Sequence, residues 1–226
     1  MVLIEFEEIL ATAILFAWVI FVVAFLTRKL YDLMVKHGFE GNIAIYYNRK
    51  VIHVLTGGFV ALIVPLTFET PIIPLIMAFI LGALTYIPHK TGRLMYWFQT
   101  ADNAYEVSFC IMWGLIIALG WVVSRGNFWV GVLPVLFMSV GDALTGLVRN
   151  ALYKRRTKSW WGNLAMALFS IPVGATLGIA GMIAGAAASV IEHFEFGILD
   201  DNVMVPLTSF IIILTLMLLA PWTITL

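Results

Sequence analysis

The sequence predicts an all-α integral membrane protein, a polytopic transmembrane helical bundle of about seven or eight helices, on three observations. Its 226 residues are 62% hydrophobic and 12% charged, with a mean hydropathy of +1.00, whereas a soluble domain is about 45–50% apolar and about 25% charged. Apolar runs long enough to cross a hydrocarbon core of about 30 Å recur along the chain. The basic residues gather in three segments separated by pairs of such runs. A water-soluble globule is excluded on composition alone; the formal net charge of zero is uninformative, and nucleic acid is not an expected partner. No repeat or linker divides residues 1–226, so a single membrane domain is expected.

The first run, 9–26, follows acidic EFEE and precedes Thr27, Arg28 and Lys29. A cleavable signal peptide has a basic start and a small-residue cleavage site; here the charges are reversed, so a retained helix with its N-terminus outside is expected, leading into a cytoplasmic linker that ends near residue 47. Further runs lie at 51–68, 71–87, 105–123, 127–148 and 203–222. Between the last two, 161–191 holds 31 residues without a charged side chain. As one helix it would measure about 46 Å, well beyond the hydrocarbon core. Pro172, Gly174, Gly178, Gly181 and Gly185 punctuate it. Either one long kinked helix emerges into solvent, or two short helices form a hairpin turning near 174–178.

Charge placement orients the chain. Segment 27–50 carries Arg28, Lys29, Lys36, Arg49 and Lys50; the next, Lys90 and Arg93; the third, Arg149, Lys154, Arg155, Arg156 and Lys158. Alternating crossings put twelve of the thirteen basic residues on one side and only Arg125 opposite. The positive-inside bias makes that side the cytoplasm. Trp97, Trp160 and Trp161 then fall near the inner interface, and Trp121, Trp129 and Trp222 near the outer one, as aromatic belts do. The lone Cys110 reads as a small buried hydrophobe.

The chain has no HExxH, CxxC or phosphate-loop motif, so soluble metalloprotease, zinc-site and P-loop chemistries drop out. What remains are four polar clusters. Arg49, Lys50 and His53, followed by Gly57-Gly58, sit at the cytoplasmic boundary; the four-residue spacing of Arg49 and His53 puts them on one helix face. They form either a collar snorkelling to headgroups or a phosphate site. Asp142 interrupts an apolar run, at about 2.5–3.5 kcal/mol on insertion scales. Asp142, Thr145, Gly146 and Arg149 share one helix face; Asp142 pairs with Arg149 or holds a divalent cation such as Mg²⁺. In YKRRTKSWWGN (153–163), Arg155 and Arg156 read as a solvated face, while Lys158-Ser159 precedes the re-entering Trp160-Trp161-Gly162-Asn163, so Lys158 is expected over the site. Last, Glu192-His193-Phe194-Glu195 and Asp200-Asp201-Asn202 offer oxygen ligands for a hard cation if a hairpin returns them to the cytoplasmic side. His193 reads as an interface histidine. Carboxylates and cations converging at one membrane face suit phosphoryl transfer from a nucleotide, with the second substrate arriving from the lipid.

NRKVIHVLTGG (48–58), SVGDALTGLVRN (139–150), TKSWWGNLAMAL (157–168) and LDDNVMVPL (199–207) together resemble the dolichol kinase and phytol kinase family of CTP-dependent polyprenol kinases. The four stretches occur in the family's order, and the resemblance spans about 48–210. It implies an integral membrane kinase that moves the CTP γ-phosphate onto a long isoprenoid alcohol, and it places all four motifs on one side, which favours the hairpin. It further implies Asp142, Asp201 and Lys158 as catalytic residues; Arg49, Lys50, His53, Arg149, Ser159 and Asn163 as nucleotide- or phosphate-binding; and Asp142, Asp200, Asp201, Asn202 and Glu192 as the ligand set for Mg²⁺ or another divalent cation. Three departures stand out. Trp161 replaces a Glu and Asn163 a Ser of the family's pattern, and LVRNALY replaces its glycines after the GD segment. A cytidylyltransferase making a CDP-activated lipid shares the same logic. An ion-coupled transporter would use Asp142 and the broken helix as a coupling site, but needs its polar groups near the midplane.

Overall fold

The apolar runs fold into eight main helices: α1 (Phe6–Lys36), α2 (Gly41–Thr67), α3 (Ile72–Thr91), α4 (Tyr105–Val123), α5 (Trp129–Tyr153), α6 (Trp160–Gly174), α7 (Ile179–Ile191) and α8 (Asp201–Leu219). The structure, a computed structural model, describes residues 5–153, 157–194 and 200–225. Lys154, Arg155, Arg156 and Glu195 lie outside the described residues, which contain no β-strand. Six of the helices are long and apolar enough to span a membrane, so the protein is an integral membrane protein of the expected class.

The uncharged run is a hairpin, not one kinked helix. α6 has 15 residues and α7 has 13, each about 20 Å long. A tight turn at Ala175–Leu177 joins them, followed by Gly178 at φ +81°. The tip reaches the opposite end of the bundle, where the Thr225 N–H, beyond the end of α8, donates to the Leu177 carbonyl at 3.3 Å. At the base, Lys158 and Glu192 meet at 3.1 Å. Among the described residues, six long helices and one short-helix hairpin therefore make up the bundle.

Segment 27–50, expected as a linker, is helical apart from a turn at 37–40. α1 runs on to Lys36 and α2 begins at Gly41. The overhang persists because it has aromatic and polar partners. Tyr31 packs edge-on to Tyr96 at 5.5 Å and Arg28 lies over Trp97. Asn48 donates to the carbonyls of Thr27 (2.6 Å) and Trp97 (2.8 Å).

α5 is the central helix, with 83% of its apolar window buried against 11% for α1. Its residues Val130–Met138 are apolar on every face and buried on every face, as a core helix must be. α4 and α5 touch backbone to backbone: a Cβ on Gly120 would lie 2.2 Å from the Gly131 nitrogen, and one on Gly131 would lie 2.4 Å from the Ile116 carbonyl. Small residues allow such approach between membrane helices.

Three helices contain a widened π-turn, at Phe21–Leu26, His53–Gly58 and Phe137–Gly141. Such turns turn carbonyls out of the helical ladder, and in the first two, tryptophans donate to carbonyls of the turn. Trp97 Nε1 donates to Val23 O, Trp18 Nε1 to Leu55 O, and Trp113 Nε1 to Gly57 O, at 2.8–2.9 Å. The Trp18 and Trp97 bonds fasten the outlying α1 to the bundle.

The glycine contact provides a test. Gly131→Ala should destabilise the protein by about 1–3 kcal/mol through overpacking, read as a lower Tm in detergent. Gly82→Ala, whose Cβ would meet Cys110 Cβ at an ordinary 3.5 Å, should leave Tm nearly unchanged.

Candidate active site

A cavity of about 1130 Å³ opens between α1, α2, α3 and α4, and reaches α5 and the start of α8. Its two ends differ in chemistry. Lys50, His53, Asp142, Lys158, Glu192 and Asp201 line one end; Leu15, Val60, Val64, Phe68, Ile73 and Met77 line the other.

At the charged end, Asp142, Glu192 and Asp201 each present an oxygen within 4.8 Å of the other two. Three helices supply them. Asp142 follows the π-turn of α5, Glu192 caps α7, and Asp201 opens α8. Three cations face them. Lys50 Nζ lies 2.6 Å from Asp142 Oδ2. Lys158 Nζ bridges Asp201 Oδ2 (2.9 Å) and Glu192 Oε1 (3.1 Å), and donates to the Glu192 carbonyl at 2.6 Å. Arg149 grips Glu192 with both terminal nitrogens, at 2.7 and 2.6 Å. Glycines make room for two of these cations. A Cβ on Gly146 would meet Tyr46 Oη at 2.2 Å and Lys50 Cε at 2.6 Å, and one on Gly162 would meet Arg149 Nε at 2.5 Å.

Asp142 thus pairs with Lys50 and not with Arg149. Seven residues along a helix put the two on one face but about 10 Å apart, too far for contact. His53 Nδ1 approaches Asp142 Oδ2 at 3.5 Å, outside hydrogen-bond alignment, and its ring stacks on Phe109 at 4.1 Å. Arg49 turns the other way: Nε donates to Phe98 O (2.7 Å), an Nη to Thr100 Oγ1 (3.0 Å), and Glu106 lies 3.9 Å away. The expected Arg49–Lys50–His53 phosphate cluster is therefore divided between two walls of the cavity.

Of the expected metal ligands, Asp142, Glu192 and Asp201 come together, whereas Asp200 and Asn202 are engaged elsewhere. Asp200 caps α8 by accepting from the Val203 N–H at 3.1 Å, and takes the Ser108 hydroxyl at 2.5 Å. Burial pushes its carboxyl above the usual range despite those donors. Asn202 donates to Tyr105 O at 2.9 Å. The Ser159 carbonyl faces Arg149 at 3.4 Å. Asn163 accepts from Arg149 at 2.9 Å and donates to Ser189 O and, at 3.2 Å, to Glu192. The Asn163 departure is thus built into the Arg149–Glu192 strut. Trp161, at another of the departures, is 61% exposed on the bundle surface.

Sequence reasoning missed Glu106, which accepts from His89 (2.6 Å) and Gln99 (2.7 Å) beside Arg49 on the cavity wall. The signal was an acid in the first turn of an apolar run, but its partners come from another helix and a loop. Tyr46, over which Lys50 Nζ lies at 5.3 Å, was also missed.

The triad offers only oxygen donors, which suits a hard divalent cation, and its spread is about twice a metal–oxygen bond of roughly 2.0–2.6 Å. Three carboxylates beside three cations can hold and neutralise phosphate groups once the cations exchange partners.

Burial sets the stability cost of losing each carboxylate. Glu192→Gln leaves Arg149, 5% exposed, without its anion and should cost about 3–5 kcal/mol. Asp201→Asn, at a side chain 27% exposed whose partner Lys158 keeps Glu192 at 3.1 Å, should cost clearly less. Thermal unfolding of both variants in one detergent measures the contrast. No family model, curated protein or solved structure matches the chain.

Proposed function

We propose that the protein is a membrane-embedded lipid kinase that transfers the γ-phosphate of a nucleotide, CTP by the resemblance of its motifs, to the hydroxyl of a long isoprenoid alcohol. One observation carries this reading: a single cavity joins a carboxylate–lysine cluster to a deep apolar arm. At about 1130 Å³ it exceeds the roughly 300–1,000 Å³ usual for one small ligand, as a site for two substrates must. The arm lets an isoprenoid chain lie in the protein while its hydroxyl meets the charged end. The arm's floor is a turn between two helices, which weighs against a transporter open to both sides.

In this reading Lys50 and Lys158 leave their carboxylates to bind phosphate oxygens, as preorganised cations that stabilise charge developing in transfer. Asp142 and Glu192, with Asp201, would hold a divalent cation, which supplies further neutralisation of the phosphates when bound. Asp201, the least buried of the three, accepts the proton of the lipid hydroxyl. The hydroxyl oxygen of the lipid then forms a bond to the γ-phosphorus as the bond from that phosphorus to the β,γ-bridging oxygen breaks, and the nucleoside diphosphate departs with the electron pair.

Purified protein given γ-labelled CTP, Mg²⁺ and isoprenoid alcohols should yield labelled lipid monophosphate and CDP. A CDP-lipid with released pyrophosphate would instead identify the cytidylyltransferase. Asp142→Asn and Asp201→Asn should remain helical by circular dichroism and lose at least about 10²-fold in turnover at every Mg²⁺ concentration. Near-normal activity of Asp142→Asn would remove the reading.

We also place the charged end in the cytoplasm, on the asymmetry of basic residues. In a Cys110→Ala background, Arg93→Cys should react with an impermeant thiol reagent only from inside and Arg125→Cys only from outside; the reverse pattern would invert the orientation.

A further inference from the structure

α1 packs on α2, and α3 packs on α4, but α1 and α3 do not pack along each other although both line the cavity. They are tied indirectly, at two levels. At the apolar end, Glu8 of α1 accepts the Glu69 N–H of the turn that leads into α3, at 2.9 Å. At the charged end, the segment after α3 crosses between them as a strap. Trp97 Nε1 donates to Val23 O of α1, and Gln99 Nε2 to Thr85 O of α3, both at 2.8 Å. Between these ties lies a gap with apolar rims. Leu15, Phe16 and Ile20 of α1 and Met77, Leu81 and Leu84 of α3 line the cavity there. Ile20 and Leu84, at 38% and 44% exposure, are the most open of the six and mark the mouth.

The mouth stands level with the chemistry. The Trp18 indole donates to Leu55 O at 2.8 Å, so Trp18 and Leu55 share a height. α1 and α2 are antiparallel, so Ile20, two residues further along α1, is level with His53, two residues back in α2. His53 Nδ1 stands 3.5 Å from Asp142 Oδ2. The part of the gap beneath the strap therefore leads to the carboxylates, and the remainder to the apolar arm.

A membrane lipid with a small polar head keeps its tail in hydrocarbon and its head at the interface. Entry from the aqueous side would draw the tail through water, at a cost for every CH₂ exposed. Entry sideways keeps the tail among apolar groups throughout. We propose that the gap between α1 and α3 is a lateral portal through which a long-chain alcohol enters the cavity from the bilayer, its tail between the apolar rims and its hydroxyl beneath the Trp97–Gln99 strap. The proposal rests on the lipid-kinase reading for the identity of the lipid.

A portal controls rates and not affinity. In a Cys110→Ala background, Ile20→Cys and Leu84→Cys are joined in lipid nanodiscs by a bifunctional thiosulfonate that dithiothreitol cleaves. Uptake and release of geranylgeraniol are timed by native mass spectrometry. The cross-link should slow both at least about tenfold and leave equilibrium occupancy unchanged, because it bars the route and not the site; dithiothreitol should restore both rates. Where the cross-link does not form, the Ile20→Trp/Leu84→Trp pair, which fills the mouth, replaces it with the same expectation. Leu168→Trp, on the exposed face of α6, should change neither rate. Unaltered rates in the barred protein overturn the portal, as does a loss of occupancy with release unchanged. A nanodisc dimer that the Trp pair dissociates would make the gap an interface between copies and also overturn it. Label transfer from γ-labelled CTP, followed in parallel, separates the two readings. Transfer that ignores the cross-link sustains the kinase without the portal; gated uptake without transfer sustains the portal without the kinase. Failure of the unbarred protein to take up the alcohol defeats both.

Discussion

The ion pair between Arg149 and Glu192 is the constraint on which the charged end depends. Both groups are removed from solvent, at 5% and 1% exposure, and charges so placed are tolerable only with excellent geometry and further hydrogen bonds. The structure supplies both: the guanidinium takes the carboxylate with two nitrogens, Asn163 and the Ser159 carbonyl take more of its donors, and Lys158 shares the same carboxylate. The pair thereby ties α5 to the closing residue of the hairpin, and Lys158 ties both to the start of α8. The three triad oxygens lie within 4.8 Å because their helices are locked at this one point.

The cavity exists because α1 is held by polar staples instead of close packing. Glu8 fixes one end to the turn after α2, Trp18 reaches a π-turn carbonyl of α2, and Trp97 reaches a π-turn carbonyl of α1 itself. A helix pinned at separated points, with only 11% of its apolar window buried, leaves space between those points. The central α5 shows the contrary design, with glycine contacts to α4 that leave no gap. The rigid wall and the open wall belong to one bundle, so a well-positioned charged end can face an accessible apolar arm.

Much of this was legible in the chain. Hydrophobic runs marked the long spans because a helix in hydrocarbon must satisfy its backbone internally and face lipid with apolar side chains. The length of the uncharged stretch 161–191 marked either a long kinked helix or a hairpin, between which the structure decided, and the insertion cost of Asp142 marked the site. The overhang at 27–50 was not legible as helix, because what sustains it is aromatic packing on residues 96–97.

The sequence by itself determined the membrane class, the spans, the side on which charge gathers, and the short list of acids and cations. Those properties are local: periodicity, run length and the burial cost of a single charge can be read within one turn or one span. Tertiary structure alone decided who pairs with whom. Lys50 meets Asp142 across 92 residues, Arg149 meets Glu192 across 43, and Glu106 finds His89 across 17. Helical spacing had suggested Asp142 with Arg149, but a shared face is not a shared height, and charges inside a membrane protein pair with whatever neighbouring helices bring to the same depth.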